Sequence, residues 1–363
     1  MRTICVIIPA KDEELVMGRT IQSILSAGIL PSDIYVIDDG SSDKTGATAR
    51  NHRVNVLRNE KNIGKARSIK HAADYFRLAN RYEYVALMDA DTRVSLNYFK
   101  AVKKSFWEDP NVAVVCGQAK SSPHNWLTAY RCLAYFISHL IYKGGQSNMG
   151  VITVAPGCSA TYRADIFPKL EWVNDTIVED MDVTIQVHRK KLGKIVYQKD
   201  AVVHTQDPKT IRDYIKQMYR WHTGAWQVGK KYKMFAGISK IDWEYKLLMG
   251  EGLIFAALFL LMPLWLILYP KTLLLFPIDI AVAIVMSLFA GIAGKRKDVI
   301  LFSPLFFTLR FVDCGVFLYS FWNTIVMKQK VSGWFAVARY TNERRQDEAT
   351  INSRDSGKFR TNY

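Results

Sequence analysis

The chain has 363 residues, enough for two domains, and its 49 Lys and Arg outnumber 33 Asp and Glu to give a formal charge of +16. Five scattered cysteines without a CxxC pair argue against a disulfide framework or a zinc site and indicate a reducing compartment. The charge alone fits a nucleic-acid binder, a solvated basic surface, or a protein facing anionic lipid and an anionic substrate. Apolar runs near the C-terminus favour the last, with membrane lipid as a partner and no nucleic acid.

The first 115 residues alternate strand and helix patterns. The opening apolar run is short and closed by Pro9, which indicates a strand buried on both faces rather than a signal peptide. The predicted strands are 4–8, 34–37, 54–57 and 84–88, and the predicted helices are 13–27, 44–51 and 65–79. This rhythm predicts an α/β fold with a mostly parallel, doubly wound sheet.

Acidic residues follow two of these strands. Asp38-Asp39 comes after the second strand and Asp89-Ala90-Asp91 after the fourth, so both groups are expected at the carboxyl edge where such sheets bind ligands. Asp89 and Asp91 can reach one hard cation, and Mg²⁺ or Mn²⁺ shares its oxygen ligands with substrate phosphates. A lone DxD is common in loops, but its position after a buried strand favours a metal site that stabilises a diphosphate leaving group.

The remaining groups at this edge suit a nucleotide. One carboxylate of Asp38 and Asp39 could accept from a base imide N–H, while the other caps the turn. Lys65 and Arg67 open a helix, and its N–H groups and these cations suit a phosphate. For Arg67 a solvated surface charge fits nearly as well.

Residues 120–246 are mixed in pattern, with interleaved aromatic and basic side chains that indicate an acceptor-facing half of the same domain. Glu179-Asp180 follows an apolar pair, and Asp180 is the candidate general base for an acceptor hydroxyl. Acids at the start of a helix over 181–190 would also account for Glu179 or Asp182. Gln217, Arg220 and Trp221 share one helix face, where Arg220 can fork to phosphate oxygens and Trp221 can form a floor for an acceptor sugar.

Three apolar segments follow. Residues 247–269 and 273–294 are long enough to cross about 30 Å of hydrocarbon, and Lys295-Arg296-Lys297 after the second predicts a hairpin whose ends are cytoplasmic. Segment 299–327 contains Arg310 and Asp313. A re-entrant or interfacial path is favoured over a crossing because it keeps the basic tail inside. A pair between Arg310 and Asp313 at (i, i+3) would explain both charges.

These motifs together resemble the membrane-bound family 2 glycosyltransferases with a GT-A fold, the group of hyaluronan, chitin and cellulose synthases. The matching residues are 6–13, Asp38-Asp39-Gly40-Ser41, Asp89-Ala90-Asp91, Glu179-Asp180, the QxxRW pentad at 217–221, and the segment from Gln146-Ser147 to 156–163. The resemblance covers about residues 3–230, with a looser similarity in the membrane part.

The resemblance implies roles for individual residues. Asp91 would be the principal metal ligand, Asp180 the base, and Gln217, Arg220 and Trp221 would border the diphosphate and the acceptor. Pro9, Glu13 and Glu179 lie in matching motifs, Gly157 lies in the segment that builds the acceptor pocket, and residues 332–339, with Trp334 and Arg339, are similar to the mobile loop that closes over the donor.

The sequence therefore predicts three parts: a cytoplasmic GT-A domain at 1–235, a membrane region at 236–330, and a cytoplasmic loop and basic tail at 331–363. The expected function is an inverting β-glycosyltransferase that uses UDP-GlcNAc, UDP-glucose or UDP-GlcA to build a polysaccharide or oligosaccharide in the cell membrane. Single addition to a lipid or lipid-linked acceptor is the first alternative, and a non-catalytic sugar-nucleotide-binding protein the second. With two or three spans in the chain, a homo-oligomer or an export partner is a further expectation.

Overall fold

The alternating residues of the first strand serve two cores, one on each face of a central sheet. The computed structural model describes residues 2–271, 275–329 and 338–340. In strand β1 (Arg2–Ala10), Val6 and Ile8 pack on one face, and Cys5 and Ile7 pack on the other. All five cysteines are free and four of them are buried, as small hydrophobic residues would be.

The first half of the sheet is parallel. Strands β2 (Ile34–Asp38), β3 (Asn55–Arg58) and β4 (Tyr82–Leu87) join β1 in the order β3-β2-β1-β4. Ala10 pairs with Asp38 and Ile7 with Leu87, so these strands end at the same edge. The acids that follow β2 and β4 are thereby brought together.

Helices connect these strands as expected, with one difference. They are α1 (Glu14–Ser26), α2 (Thr45–Asn51), α3 (Lys65–Tyr75) and α4 (Leu78–Arg81). The sequence predicts one helix over 65–79, and this is wrong: Arg77 takes a left-handed conformation with φ of 51°, which ends α3 and starts a separate turn.

The second half of the sheet makes it mixed. Four further strands extend the order from β4 to β7-β6-β8-β5, and β7 is antiparallel to both neighbours. The strands are β5 (Arg93–Val94), β6 (Val112–Ser121), β7 (Ala160–Arg163) and β8 (Lys194–Thr205), with helices α5 (Tyr98–Glu108), α6 (Trp126–Ile137), α7 (Gly144–Met149) and α8 (Glu179–Arg189). Only the parallel half is evident in the strand–helix alternation of the sequence.

The C-terminal part is helical. It contains α9 (Ile211–Lys231), α10 (Lys240–Leu260), α11 (Met262–Leu268), α12 (Leu275–Gly294), α13 (Lys297–Leu301) and α14 (Phe306–Phe321). Among the described residues, 277–294 and 303–326 are long and apolar enough to cross a membrane. Helices α10 and α11 together form a third candidate that is bent by 57°. The paths of these segments through a bilayer stay predictions.

The predicted ion pair between Arg310 and Asp313 is wrong. Arg310 instead donates to both carboxylate oxygens of Asp279 on α12, each at 2.6 Å. Asp313 accepts hydrogen bonds from the hydroxyls of Tyr130 and Tyr214. The (i, i+3) spacing predicts that the two residues pair with each other, but in the structure their partners lie on other helices.

Candidate active site

A cavity of about 410 Å³ opens at the carboxyl edge of the parallel strands, between the sheet and helix α9. Its size is within the range of small-molecule sites. The predicted site residues that line it are Pro9, Glu13, Asp39, Lys65, Asp89, Asp91, Gly157, Glu179, Asp180, Gln217, Arg220, Trp221 and Arg339. The structure thus brings together side chains that are more than 300 positions apart in the sequence.

The predicted residue Asp38 and the suggested cation Arg67 stand apart from this group. Asp38 is fully buried below the cavity, where it accepts from the backbone N–H of Ser41 at 2.8 Å and pairs with Arg58. Arg67 is exposed and does not line the cavity. Trp334 lies outside the described residues.

Asp39 organises the loop that leads into α3. Its carboxylate accepts from the backbone N–H groups of Ile63 and Gly64, each at 2.9 Å, and from the side chain of Asn59 at 2.8 Å. Gly64 has φ of 88°, and a Cβ there would collide with the side chain of Asn174. This loop conformation places Lys65 at the first position of α3, facing the cavity.

Lys65 joins two acidic residues from different elements. Its ammonium lies 2.6 Å from Asp89 Oδ1 and 2.6 Å from Glu179 Oε1. Burial disfavours the charged forms of Lys65 and Asp89, yet the ammonium lowers the pKa of Asp89 and the neighbouring carboxylates raise the pKa of Lys65. All three groups therefore hold one another in position near the cavity floor.

The sequence predicts UDP as the nucleotide of the donor. If UDP binds in this cavity, we expect Lys65→Met to weaken its binding roughly 10- to 100-fold, because the change removes a charge-assisted hydrogen bond and leaves Asp89 and Glu179 without their shared cation. Isothermal titration calorimetry with UDP and Mn²⁺ measures the change. Arg67→Met is the matched control, since it removes an exposed cation from the same helix. Equal losses in both variants would mean that general surface charge, and not Lys65, binds the nucleotide.

Arg339 connects the C-terminal segment to two acidic residues of the cavity, Glu13 and Asp91. Its guanidinium forks onto both oxygens of Glu13 at 2.6 Å, and its third nitrogen donates to Asp91. Burial raises the pKa of Glu13 to about 7 even though Arg339 opposes this shift. The next residue, Tyr340, exchanges hydrogen bonds with Gln206 and donates to the carbonyl of Asp207. Residues 338–340 thus lie against the cavity.

The residues present fit a divalent metal that also takes substrate oxygens. No group of three or more His, Cys, Asp or Glu residues suited to an ion occurs in the described part of the chain. Mg²⁺ and Mn²⁺ sites that share a substrate diphosphate need only one or two carboxylates, however, and Asp89 and Asp91 both face the cavity. Both are paired with protein cations, Lys65 and Arg339, which occupy positions that a metal could take at these oxygens.

Asp180 lies in the first turn of α8. One carboxylate oxygen accepts from the backbone N–H of Gly157 at 3.2 Å and the other from that of Met181 at 2.8 Å. Burial, and then the neighbouring Glu179, raise the pKa of Asp180 above its ordinary value. Asp182 differs: it is buried and bonded by Lys231 and Tyr232, a structural role away from the cavity. Asp180 therefore faces the cavity and Asp182 does not.

The QxxRW helix closes the cavity from the other side. Gln217 Oε1 and Arg220 Nε are buried and have no hydrogen-bond partner among the described residues. The ring of Trp221 packs on the guanidinium of Arg131, whose carbon lies 4.8 Å from the ring centroid. Unsatisfied polar atoms beside an aromatic face suit a ligand with both phosphate and sugar groups.

Sequence reasoning missed a buried ion pair beside this helix. Arg131 Nε lies 3.2 Å from Asp207 Oδ1, and both side chains are at most 4% exposed. Tyr135 donates to the same oxygen at 3.1 Å. Asp207 closely follows β8, so the rule that selected Asp38 and Asp89 would apply to it, but the sequence pattern predicts no strand at that position. No comparable rule selects Arg131 from the sequence.

Comparison with known proteins agrees with this geometry. Residues 5–171 match the family described as Glycosyl transferase family 2. The chain is 26% identical over 254 residues to the poly-beta-1,6-N-acetyl-D-glucosamine synthase of Staphylococcus epidermidis, covering 64% of this chain and 60% of that one. It is 28% identical over 239 residues to the hyaluronan synthase of Streptococcus pyogenes, covering 60% and 56%. The chain therefore matches less than two thirds of the length of these relatives.

A solved structure extends the similarity in fold to most of the chain. The mannosyltransferase PcManGT from Pyrobaculum calidifontis, in complex with GDP-Man and Mn²⁺, superposes with a TM-score of 0.58 at 16% identity over 91% of this chain and 89% of that one. The fold is that of the GT-A glycosyltransferases. The match of residues 5–171 to the family 2 glycosyltransferases and the shared fold confirm the predicted resemblance and fold class.

Proposed function

We propose that the protein is an inverting β-glycosyltransferase that moves a sugar from a UDP-sugar to a growing glycan at the membrane. UDP-GlcNAc, UDP-glucose and UDP-GlcA are the candidate donors. The observation that carries the proposal is that Asp180 faces the same cavity as Asp89 and Asp91, with its pKa raised. A carboxylate of raised pKa beside a phosphate-binding edge suits general-base catalysis.

The reaction assigned to this site is a single displacement. Asp180 takes the proton of the acceptor hydroxyl, whose oxygen forms a bond to the anomeric carbon while the bond from that carbon to the diphosphate oxygen breaks. Attack opposite the leaving group converts an α-linked donor into a β-glycoside. Lys65 and Arg220 both line the cavity, and in this reaction their cations would bind the diphosphate oxygens. A divalent metal bound at Asp89 and Asp91 would supply charge to stabilise the UDP leaving group.

A membrane location with the catalytic domain in the cytoplasm is supported by the end of α12. Arg296, in the basic loop after this helix, donates to the carbonyl of Ser121 at 2.9 Å and pairs with Asp298. This contact ties the loop to the end of β6 in the catalytic domain, so the basic loop lies on the catalytic side. Basic loops favour the cytoplasmic side of a membrane. We infer a multi-pass membrane protein whose catalytic domain and basic loop both lie on the cytoplasmic side.

One observation favours the alternative of single addition to a lipid-linked acceptor. Four residues of one apolar cluster also line the cavity, Val154, Val178, Met181 and Ala225, and Met181 directly follows Asp180 in the sequence. An acceptor with an apolar portion near its reacting hydroxyl would bury that surface here. A polymer acceptor would instead be expected to rely on Trp221 and the unsatisfied polar atoms of α9.

The test is nucleotide release by the purified protein in detergent with Mn²⁺ or Mg²⁺, across the three UDP-sugars and GDP-mannose, with products sized by gel. Release with a UDP-sugar and a product ladder supports the polymerase. A single lipid-extractable product supports the lipid-acceptor alternative. Release only from GDP-mannose would refute the UDP assignment. Tight donor binding without release, with lipid and glycan acceptors supplied, would favour a non-catalytic binder.

A further inference from the structure

Helix α14 and the turn after it present three polar side chains to α9, the helix that carries the QxxRW pentad. Asp313 accepts from the hydroxyl of Tyr214, Ser320 accepts from the indole of Trp226 at 3.1 Å, and Asn323 donates to the hydroxyl of Tyr219 at 3.1 Å. Ser320 and Asn323 are at most 5% exposed. The mostly apolar segment formed by α14 and the turn after it therefore contacts α9 through several polar side chains.

Asp313 differs from the other two because it is ionisable. It lies within 303–326, a segment apolar enough to cross a membrane. A carboxylate at such a position is costly unless it is fully bonded, and such residues usually serve a function. Its two oxygens accept from two different elements: one from Tyr214 on α9, and the other from Tyr130 on α6. Asp313 does not line the catalytic cavity.

Both tyrosines lead directly to the pentad. Tyr214 lies one turn before Gln217 on α9. Tyr130 immediately precedes Arg131, whose guanidinium packs on the ring of Trp221 and pairs with Asp207. Asp313 thereby connects α9, which carries Trp221, to α6, whose Arg131 packs on the ring of Trp221.

We propose that Asp313 is a positioning residue for glycosyl transfer, acting through Tyr214 and Tyr130 to hold α9 and α6 in the register that places Gln217, Arg220 and Trp221. The inference rests on the proposed function. It assigns to a candidate membrane helix the alignment of the α9 face that borders the acceptor and, through Arg220, the diphosphate. The donor side, at Asp39 and Lys65, is held by other residues and is expected to be independent of this group.

The test compares Asp313→Leu, Asp313→Asn and Tyr214→Phe in the full chain in detergent. Misplacement of acceptor-side groups by about 1 Å can cost up to about 100-fold in rate, so kcat is expected to fall roughly 10- to 100-fold in Asp313→Leu. The dissociation constant of UDP should rise only about two- to threefold, much less than kcat falls, because Arg220 is the diphosphate-binding group assigned to α9 while Asp39 and Lys65 stay in place. Asp313→Asn keeps one acceptor oxygen and should recover most of the rate. Adding Tyr214→Phe to Asp313→Leu should cost little more than Asp313→Leu alone.

The matched control is Asp279→Asn, which alters a carboxylate of the apolar helix α12 that is paired with Arg310 and not with α9. Its kcat should equal that of the wild type. An unchanged kcat in Asp313→Leu and Tyr214→Phe would overturn the proposal. So would a loss matched by Asp279→Asn, or one in which UDP affinity falls in parallel, because either result indicates general destabilisation.

A second readout does not depend on turnover. Hydrogen exchange of the backbone amides of 214–226 should be faster in Tyr214→Phe and Asp313→Leu than in the wild type, while exchange of α8 stays unchanged. If the wild type releases no nucleotide, the proposed function fails and this readout alone decides the positioning role. Unchanged exchange in α9 would then reject it.

Discussion

Asp180→Asn is expected to lower kcat by roughly 10²- to 10⁴-fold, the usual contribution of a general base. The asparagine keeps the shape of the side chain and can still accept from the backbone N–H of Gly157 or Met181, so the local fold should persist. It cannot take a proton from the acceptor hydroxyl. Donor affinity should be nearly unchanged, because Lys65 and Asp39 remain. The measurement is UDP release beside UDP titration calorimetry.

The pH dependence of the same reaction gives the assignment a second test. Burial and the Glu179 carboxylate raise the pKa of Asp180, and a general base is active only when deprotonated. The value of kcat/KM should therefore rise with pH through an acid limb that lies above the ordinary aspartate pKa, and Asp180→Asn should lose that limb. The opposite slope would make Asp180 an acid and exclude the role proposed for it.

Asp175→Asn is the matched control for Asp180→Asn. Asp175 lies five residues earlier, is about half exposed, and pairs with Lys231 at the surface. Exposed ion pairs contribute little to stability, so this variant should retain the wild-type rate. If both variants lose activity together, loss of charge near α8, and not of the base, is the cause.

Simple geometric rules are enough to predict much of the site from the sequence. Parallel strands end at one edge, so the acids after β2 and β4 can be placed together from the strand pattern alone. Spacing of three and four residues likewise puts Gln217, Arg220 and Trp221 on one helix face. Those rules need no knowledge of neighbouring elements, and the structure gathers these residues, apart from Asp38, around one cavity.

The rest depends on contacts that spacing does not encode. Asp38 and Asp39 are adjacent, yet Asp38 bonds the turn below the cavity and Asp39 faces it. Arg310 and Asp313 suit a local pair by spacing, but their partners lie on other helices. The antiparallel β7 comes from a segment far along the chain, and nothing in the local pattern indicates its insertion beside β4.

Asp91→Asn is expected to lower kcat roughly a thousandfold, which corresponds to about 4 kcal/mol of transition-state stabilisation and is typical of losing a metal that neutralises a leaving group. Binding of Mn²⁺ in the presence of UDP should be lost as well. Electron paramagnetic resonance of Mn²⁺ measures that binding directly and does not require turnover. An Asp91→Asn variant that binds Mn²⁺ as the wild type does would assign the metal to other groups.

Arg339 supplies the control that makes this prediction specific. Its guanidinium already bonds Asp91 and holds Glu13, so a metal at Asp91 competes with a cation of the protein itself. Arg339→Ala should therefore tighten Mn²⁺ binding while Asp91→Asn weakens it, although both remove the contact between residues 91 and 339. If the contact only stabilised the fold, both variants would weaken Mn²⁺ binding. Opposite shifts in Mn²⁺ affinity are expected only if Asp91 is the ligand and Arg339 its competitor.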